Sequence, residues 1–173
     1  QEEFIEFAAI ATVGDVMDLQ DENRIVVKEG LRRMKNTKNY GLRALIRVNH
    51  LEEAELTGYH IGFVLGPCIN ASGRLSTAKK ALNLLLCKDE KKAQELAEEL
   101  KVLNDSRKEM TQKGVEQAEK LVETTELKED RVLVIYLPDC HESLAGIIAG
   151  RIRETYNKPV IVLTKGKDGV KGS

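Results

Sequence analysis

Between Asp89 and Val122 no proline interrupts the chain, and Ala93, Leu96, Leu100 and Leu103 recur at alternating steps of three and four. That spacing keeps the apolar side chains on one side of a helix. At about 1.5 Å per residue the helix reaches roughly 50 Å, long enough to bridge two lobes. Met110, Ala118 and Leu121 continue the pattern loosely, and its heptad regularity lapses at Arg107. A helix packed on its own protein therefore fits better than an isolated coiled coil. Gly114 costs about 1 kcal/mol there relative to alanine and marks a candidate bend or break.

The segments on either side of this helix have different periods. Before it, Phe4, Phe7, Ala8 and Ala11 open a helix that fades near Gly14-Asp15. Asp21 is placed to cap a second helix with Val27, Leu31 and Met34 on one stripe. Residues 39–48 and 57–65 predict two shorter helices, and Ser76 stands where a cap would precede another through Leu82, Leu85 and Leu86. After Glu129-Asp130 the period gives way to a continuous apolar run, Val132–Leu137, which predicts a buried strand. A helix over residues 143–156 and a strand over 159–164 complete a βαβ unit, whose right-handed crossover makes the two strands parallel. Residues 165–169 predict a hairpin, and Val170–Ser173 begins a third strand. The expected fold class is α/β, with a helical first half, a long connecting helix and the start of a small mixed sheet. The expected divisions fall at 1–88, 89–122 and 123–173.

The 173 residues suffice for a substantial core, and 42% hydrophobic with 32% charged residues is a globular composition. Cys68, Cys87 and Cys140 are too scattered for a disulfide framework or a CxxC metal site, which suits a reducing cytoplasm. No apolar run is long enough to span a membrane, and the acidic opening is unlike a signal peptide. The third strand breaks off and no initiating methionine is present, so the chain reads as an excerpt of a larger protein. The net charge of −1 hides a segregation of sign. Residues 1–22 carry Glu2, Glu3, Glu6, Asp15, Asp18, Asp21 and Glu22 with no lysine or arginine. Residues 28–50 carry Lys28, Arg32, Arg33, Lys35, Lys38, Arg43 and Arg47 against Glu29 alone. A cationic face of this kind suits a phosphate-bearing partner, and it equally describes the solvated side of an amphipathic helix.

Three stretches could carry chemistry. Asp15 sits among small and apolar residues where the first helix ends, as a metal ligand or as an ordinary cap; one carboxylate alone cannot hold a hard cation. Leu65-Gly-Pro-Cys-Ile-Asn-Ala-Ser-Gly-Arg-Leu75 combines Gly66 and Gly73 with the polar arms of Asn70 and Ser72 and the planar fork of Arg74, a match for phosphate oxygens or a loop satisfying its own backbone. The helix expected to start at Ser76 would point its free N–H groups at the same place. His141 follows the first strand at its carboxyl end, where α/β folds generally place ligands. Behind it, Ala145, Gly146, Ala149 and Gly150 offer a smooth helix face for close packing on the sheet.

Taken together these stretches resemble the DHH phosphoesterase superfamily and, within it, the RecJ family of single-strand-specific exonucleases. Thr12-Val-Gly-Asp-Val-Met-Asp-Leu19, with Glu22-Asn-Arg24 and Gly30-Leu31, is similar to the last motif of that family's catalytic DHH domain, which implies metal ligation by Asp15. Gly62-Phe-Val-Leu-Gly-Pro and Asn70-Ala-Ser-Gly-Arg-Leu75 resemble the signature segment ahead of the DHH-associated domain, which implies substrate contacts from Asn70 and Arg74. His141 with Ala145-Gly-Ile-Ile-Ala-Gly150, and Lys171-Gly-Ser173, resemble the histidine motif and the phosphate-binding strand of that second domain, which implies substrate binding by His141, Gly172 and Ser173.

The resemblance implies an intact protein that hydrolyses single-stranded DNA 5′ to 3′ with two Mn²⁺ or Mg²⁺ ions in DNA repair and recombination, with other repair proteins as further partners. Its long helix would hold the metal site and the strand-binding site at a fixed distance. The chain departs from the family pattern at Cys68, where an arginine is common, and at Cys140 and Glu142-Ser143, which replace a tryptophan and a glycine around the histidine. The family's Asp-x-Asp motif, its DHH triplet and a further aspartate do not occur in these residues, so the fragment alone is expected to be inactive. The alternatives are a DHH phosphoesterase acting on oligonucleotides or cyclic dinucleotides, and a non-catalytic DNA-binding relative.

Overall fold

The computed structural model of the chain describes residues 4–167 and 169–173. The chain divides into two units, one ending at Asn104 and the other beginning at Asp105.

The first unit is helical throughout, with α1 (Ile5–Gly14), α2 (Asp21–Met34), α3 (Tyr40–Val48), α4 (Gly58–His60), a π-turn over Ile61–Leu65, α5 (Gly66–Leu75), α6 (Lys79–Leu85) and the first part of α7 (Glu90–Thr124). Helices α1 and α2 lie so close that a Cβ on Gly30 would come within 2.4 Å of the Ala9 Cβ, so only glycine permits the approach. The expected stripe on α2 is there, with Val27 and Met34 buried and Leu31 partly so. Asn39 caps α3 by accepting the Leu42 amide at 2.8 Å. Leu42, Leu45, Ile61, Leu65, Leu84 and Leu100 are fully buried in the core of this unit.

Three local expectations are corrected. Asp21 is the first residue of α2 and caps nothing: Gln20 holds the cap position, without a side-chain bond. Residues 66–75 are helix and not a loop, because Pro67 falls in the first turn, where a missing N–H is no loss, and Cys68, Ala71 and Ser72 bury one side. Ser76 ends α5 and caps no helix, since α6 starts at Lys79 behind Ala78.

The second unit holds the remainder of α7, β1 (Leu133–Tyr136), α8 (Ala145–Tyr156), β2 (Val160–Gly166) and β3 (Gly169–Gly172). β1 and β2 are parallel, with Leu133 opposite Val160, and β3 returns antiparallel to β2, with Leu163 opposite Gly172. The tip of the expected hairpin includes Asp168, which lies outside the described residues. β1 is buried on one side only. Leu133 and Ile135 face the core, whereas Val134 and Tyr136 are exposed, so the continuous apolar run does not mark a strand covered on both faces.

α7 is continuous from Glu90 to Thr124, without a break at Gly114. The glycine serves packing instead: a Cβ there would lie 2.4 Å from Ile148 Cδ1 of α8. The smooth face expected on α8 is also divided. Ala145, Ile148, Ala149 and Ile152 are buried, Gly146 abuts Ser173, and a Cβ on Gly150 would meet nothing within 4 Å.

Candidate functional site

In the first unit, α1 ends in a Schellman turn: the Val16 amide bonds the Val13 carbonyl at 3.1 Å and the Met17 amide bonds the Thr12 carbonyl at 3.1 Å. Such a turn needs one left-handed residue, normally glycine, and here it is the β-branched Val16 at φ 55°. Asp15 stands at the C-cap just before it, a carboxylate against the negative end of the helix. Two adjacent residues thus oppose the local energetics of the turn, and this is a mark of sites kept for reasons other than stability. Asp15 is exposed, and among the described residues no three His, Cys, Asp or Glu side chains gather into a group that could hold a metal ion. The donors among the described residues therefore do not by themselves make a site for a divalent ion.

The end of α1 packs on the π-turn, where Val13 Cγ1 lies 3.5 Å from the Cβ position of Gly62. The Gly66 amide closes that wide turn on the Ile61 carbonyl, and a Cβ on Gly66 would come within 2.8 Å of this oxygen. Beyond it, Asn70 and Arg74 lie four residues apart on α5, both exposed and on the same side of the helix. Ser72, expected as a polar arm, is buried and donates to the Ile69 carbonyl at 3.0 Å. Cys68 is also fully buried, with Asn104 Nδ2 at 3.4 Å from its sulfur. Position 68 thus belongs to the core of this chain.

The cations of residues 28–50 are partly spent on neighbouring acids. Arg32 and Arg33 both clasp Glu29, at 2.7 and 2.6 Å, and their hydrogen bonds hold its carboxyl down to about 2. Arg43 and Arg47 each reach Glu90 at 3.6 Å.

In the second unit, His141 caps a short 3₁₀ turn, Glu142–Leu144, that leads into α8. Its Nδ1 accepts the Ser143 amide at 3.3 Å and lies 2.8 Å from the Ser143 hydroxyl, which puts the proton of the neutral ring on Nε2, a donor. Lys171 on β3 pairs with Glu142 at 2.7 Å and holds that carboxyl below its usual range. Ser173 pairs with Val162 in the sheet, and its hydroxyl comes within 2.9 Å of where Gly146 would carry a Cβ. Gly172 leaves no room for a side chain, since a Cβ would meet the Val162 carbonyl at 2.6 Å. The fold thus brings the His141 turn, the start of α8 and Lys171-Gly-Ser173 into one cluster.

No family model matches the chain. It is 39% identical, over 99% of its length, to the single-stranded-DNA-specific exonuclease RecJ of Dickeya dadantii (strain 3937). The chain is a homologue of a segment of RecJ. It spans 31% of that relative. Two crystal structures of Thermus thermophilus RecJ, one in complex with Mg²⁺ and one with Mn²⁺, match it with TM-scores of 0.84 and 0.83 at 34% identity. Each match covers 95% of this chain, and 26% and 24% of the respective RecJ chain. The RecJ likeness thus extends across the helical half, the long helix and the mixed sheet.

Sequence reading missed two features of these surroundings. The Glu142–Lys171 pair joins elements far apart in the chain and leaves no local pattern. The stacked rings of Tyr59 and Phe63, with centroids 4.9 Å apart, follow from an i, i+4 spacing that was visible within a predicted helix.

Proposed function

We propose that this chain is part of a metal-dependent exonuclease that hydrolyses single-stranded DNA 5′ to 3′, acting in DNA repair and recombination. The observation that carries the reading is the RecJ likeness over 99% of the chain, and the strained turn at Asp15-Val16 supports it independently. In this reading residues 1–88 close a DHH catalytic domain, 89–122 connect, and 123–173 begin a DHH-associated domain. Asp15 contributes one ligand to a Mn²⁺ or Mg²⁺ centre whose other ligands lie outside these 173 residues. Asn70 and Arg74 hold the strand, with Arg74 as a fixed cation suited to phosphate. His141 donates from Nε2, and Gly172 and Ser173 offer backbone and hydroxyl groups beside the start of α8. Other repair proteins are its further partners. Cys68, Cys87 and Cys140 form no disulfide with one another, which suits a reducing cytoplasm, and among the described residues no helix is long and apolar enough to cross a membrane.

The test is made on the longer protein that carries this chain. Asp15→Ala should abolish most turnover of a 5′-labelled single strand in Mn²⁺ or Mg²⁺ while leaving its circular dichroism unchanged. Arg74→Ala should weaken oligonucleotide binding and reduce the log–log salt slope by roughly 0.7. His141→Ala should weaken binding with a smaller change in slope. Near-normal turnover by the Asp15 variant would remove the metal assignment, and unchanged binding in both others would remove the strand-binding one.

A further inference from the structure

We propose that Tyr59 and Phe63 form a base-stacking platform for single-stranded DNA. The proposal rests on the strand-binding reading above and adds a site of different chemistry to it. Both rings are exposed, at 63% and 68%, and lie nearly parallel, with centroids 4.9 Å apart and an interplanar angle of 25°. The chain has four tyrosines, three phenylalanines and no tryptophan, so leaving two of its few aromatic rings stacked in solvent forgoes burial that would otherwise stabilise the core.

The pair is also held in place. The Thr57 amide donates to His60 Nδ1 at 3.1 Å and the Thr57 hydroxyl lies 3.0 Å from the same atom, which fixes the His60 ring. That ring stands edge-on to Tyr59, at 5.9 Å and 86°. Phe63 sits within the π-turn, and α5 follows without a gap. Tyr59, Phe63, Asn70 and Arg74 are all exposed, and their spacing runs along one side of the helical stretch.

Charge decides among occupants. From Gly58 to Leu75 there is no aspartate or glutamate, and Arg74 and Lys79 supply positive charge along and just beyond the stretch, while Lys80 pairs with Glu99 at 3.0 Å. Aromatic faces on a stripe without acids suit a strand whose bases stack while its phosphates meet cations. A protein partner would need no such exclusion of acidic residues.

The experiment measures fluorescence anisotropy of two labelled oligonucleotides of equal length, one carrying thymine throughout and one abasic, with the protein kept in EDTA so that no strand is cut. Wild type should prefer the base-bearing strand. Tyr59→Ala and Phe63→Ala should each weaken that strand about ten-fold, as expected for a stacked base, with little effect on the abasic strand and no change in salt slope. Phe63→Trp should retain binding, and the fluorescence that it adds over wild type should be quenched by the base-bearing strand only. Circular dichroism and urea midpoints should not move, because both rings are largely in water.

Wild-type affinity in both alanine variants, with Arg74→Ala still weakened, would overturn the platform and leave the strand-binding reading standing. Failure of the wild type to bind either strand would overturn both. Alanine variants that lower the stability of the protein and leave the base preference intact would show the rings to be covered by polypeptide, and the platform would fall.

Discussion

Replacing Gly114 by alanine sets two effects of opposite sign against each other. In an exposed helix the change gains about 1 kcal/mol of intrinsic propensity. Here the new Cβ would lie 2.4 Å from Ile148 Cδ1 and 3.3 Å from its Cγ1, against an ordinary carbon contact of about 3.5–4.0 Å. Ile148 is fully buried and shares its core with Leu133, Ile135, Leu144 and Val162, so it has little room to retreat. Overpacking of this kind costs about 1–3 kcal/mol, and the net expectation is a loss of about 1 kcal/mol. Ile148→Val removes the obstructing methyl and by itself costs about 1 kcal/mol. In the double variant the new Cβ occupies the vacated space, and the helix gain returns stability to about the wild-type value. The two sites should therefore couple favourably by about 2 kcal/mol. Urea denaturation of the four proteins, followed by circular dichroism and by amide exchange in α8, measures the cycle. If Gly114→Ala alone stabilises by the full helix increment, the contact with Ile148 is not what requires the glycine.

Val16→Asn should stabilise the chain by about 1 kcal/mol in a thermal melt, because asparagine tolerates the left-handed turn and Val16, 87% exposed, gives up no packing; a lowered midpoint would show that the turn is unstrained. Glu29 has a folded pKa of about 2, below its ordinary value, so its pairing stabilises above about pH 4.5 and is lost as pH falls toward 2. Carboxyl-resolved NMR titration should find that midpoint, Glu29→Gln should flatten this part of the acid stability profile, and an ordinary midpoint would refute the clasp by Arg32 and Arg33. Cys68→Ala should cost about 1–2 kcal/mol in urea, because Asn104, 2% exposed, loses the sulfur as a partner; a neutral result would assign Cys68 to packing alone.

Where one periodicity governed a segment, the sequence was enough to read it. The stripe of α2 and the first turns of α7 follow from apolar repeats that a helix can bury on one side, though Met110 of the expected α7 pattern is exposed, and the parallel β1–β2 pair follows from the handedness of a βαβ crossover. The Leu65–Leu75 stretch was not legible, because glycine, proline, asparagine and serine speak for a loop when counted, yet here each occupies a helical position that tolerates it. Gly114 misled for the same reason: its propensity argues for a break, and the neighbour that requires it, Ile148, comes from a later helix. Asp15 stood out in the sequence as a carboxylate among small and apolar residues at a helix end, but only the resemblance made it a metal ligand, and its conflict with the local backbone needs coordinates to be seen. Asn70 and Arg74 stood out as residue types, and their placement on one exposed side became evident only once the segment proved helical.

The π-turn at Ile61–Leu65 lets this surface absorb a change in chain length. A wide turn holds one residue more than an α-helical turn would, and each residue in a helix advances the direction of its successors by about 100°. Deleting one residue there would leave nearly the same composition and a competent α-helix. Because the wide turn absorbs its extra residue within one revolution, the deletion would leave Asn70 and Arg74 on their present side and Cys68 and Ser72 in the core. A relative one residue shorter at this point should therefore present the same face of this helix through an ordinary α-helical turn, whereas tightening the turn with the residue kept would rotate everything after it by about 100°.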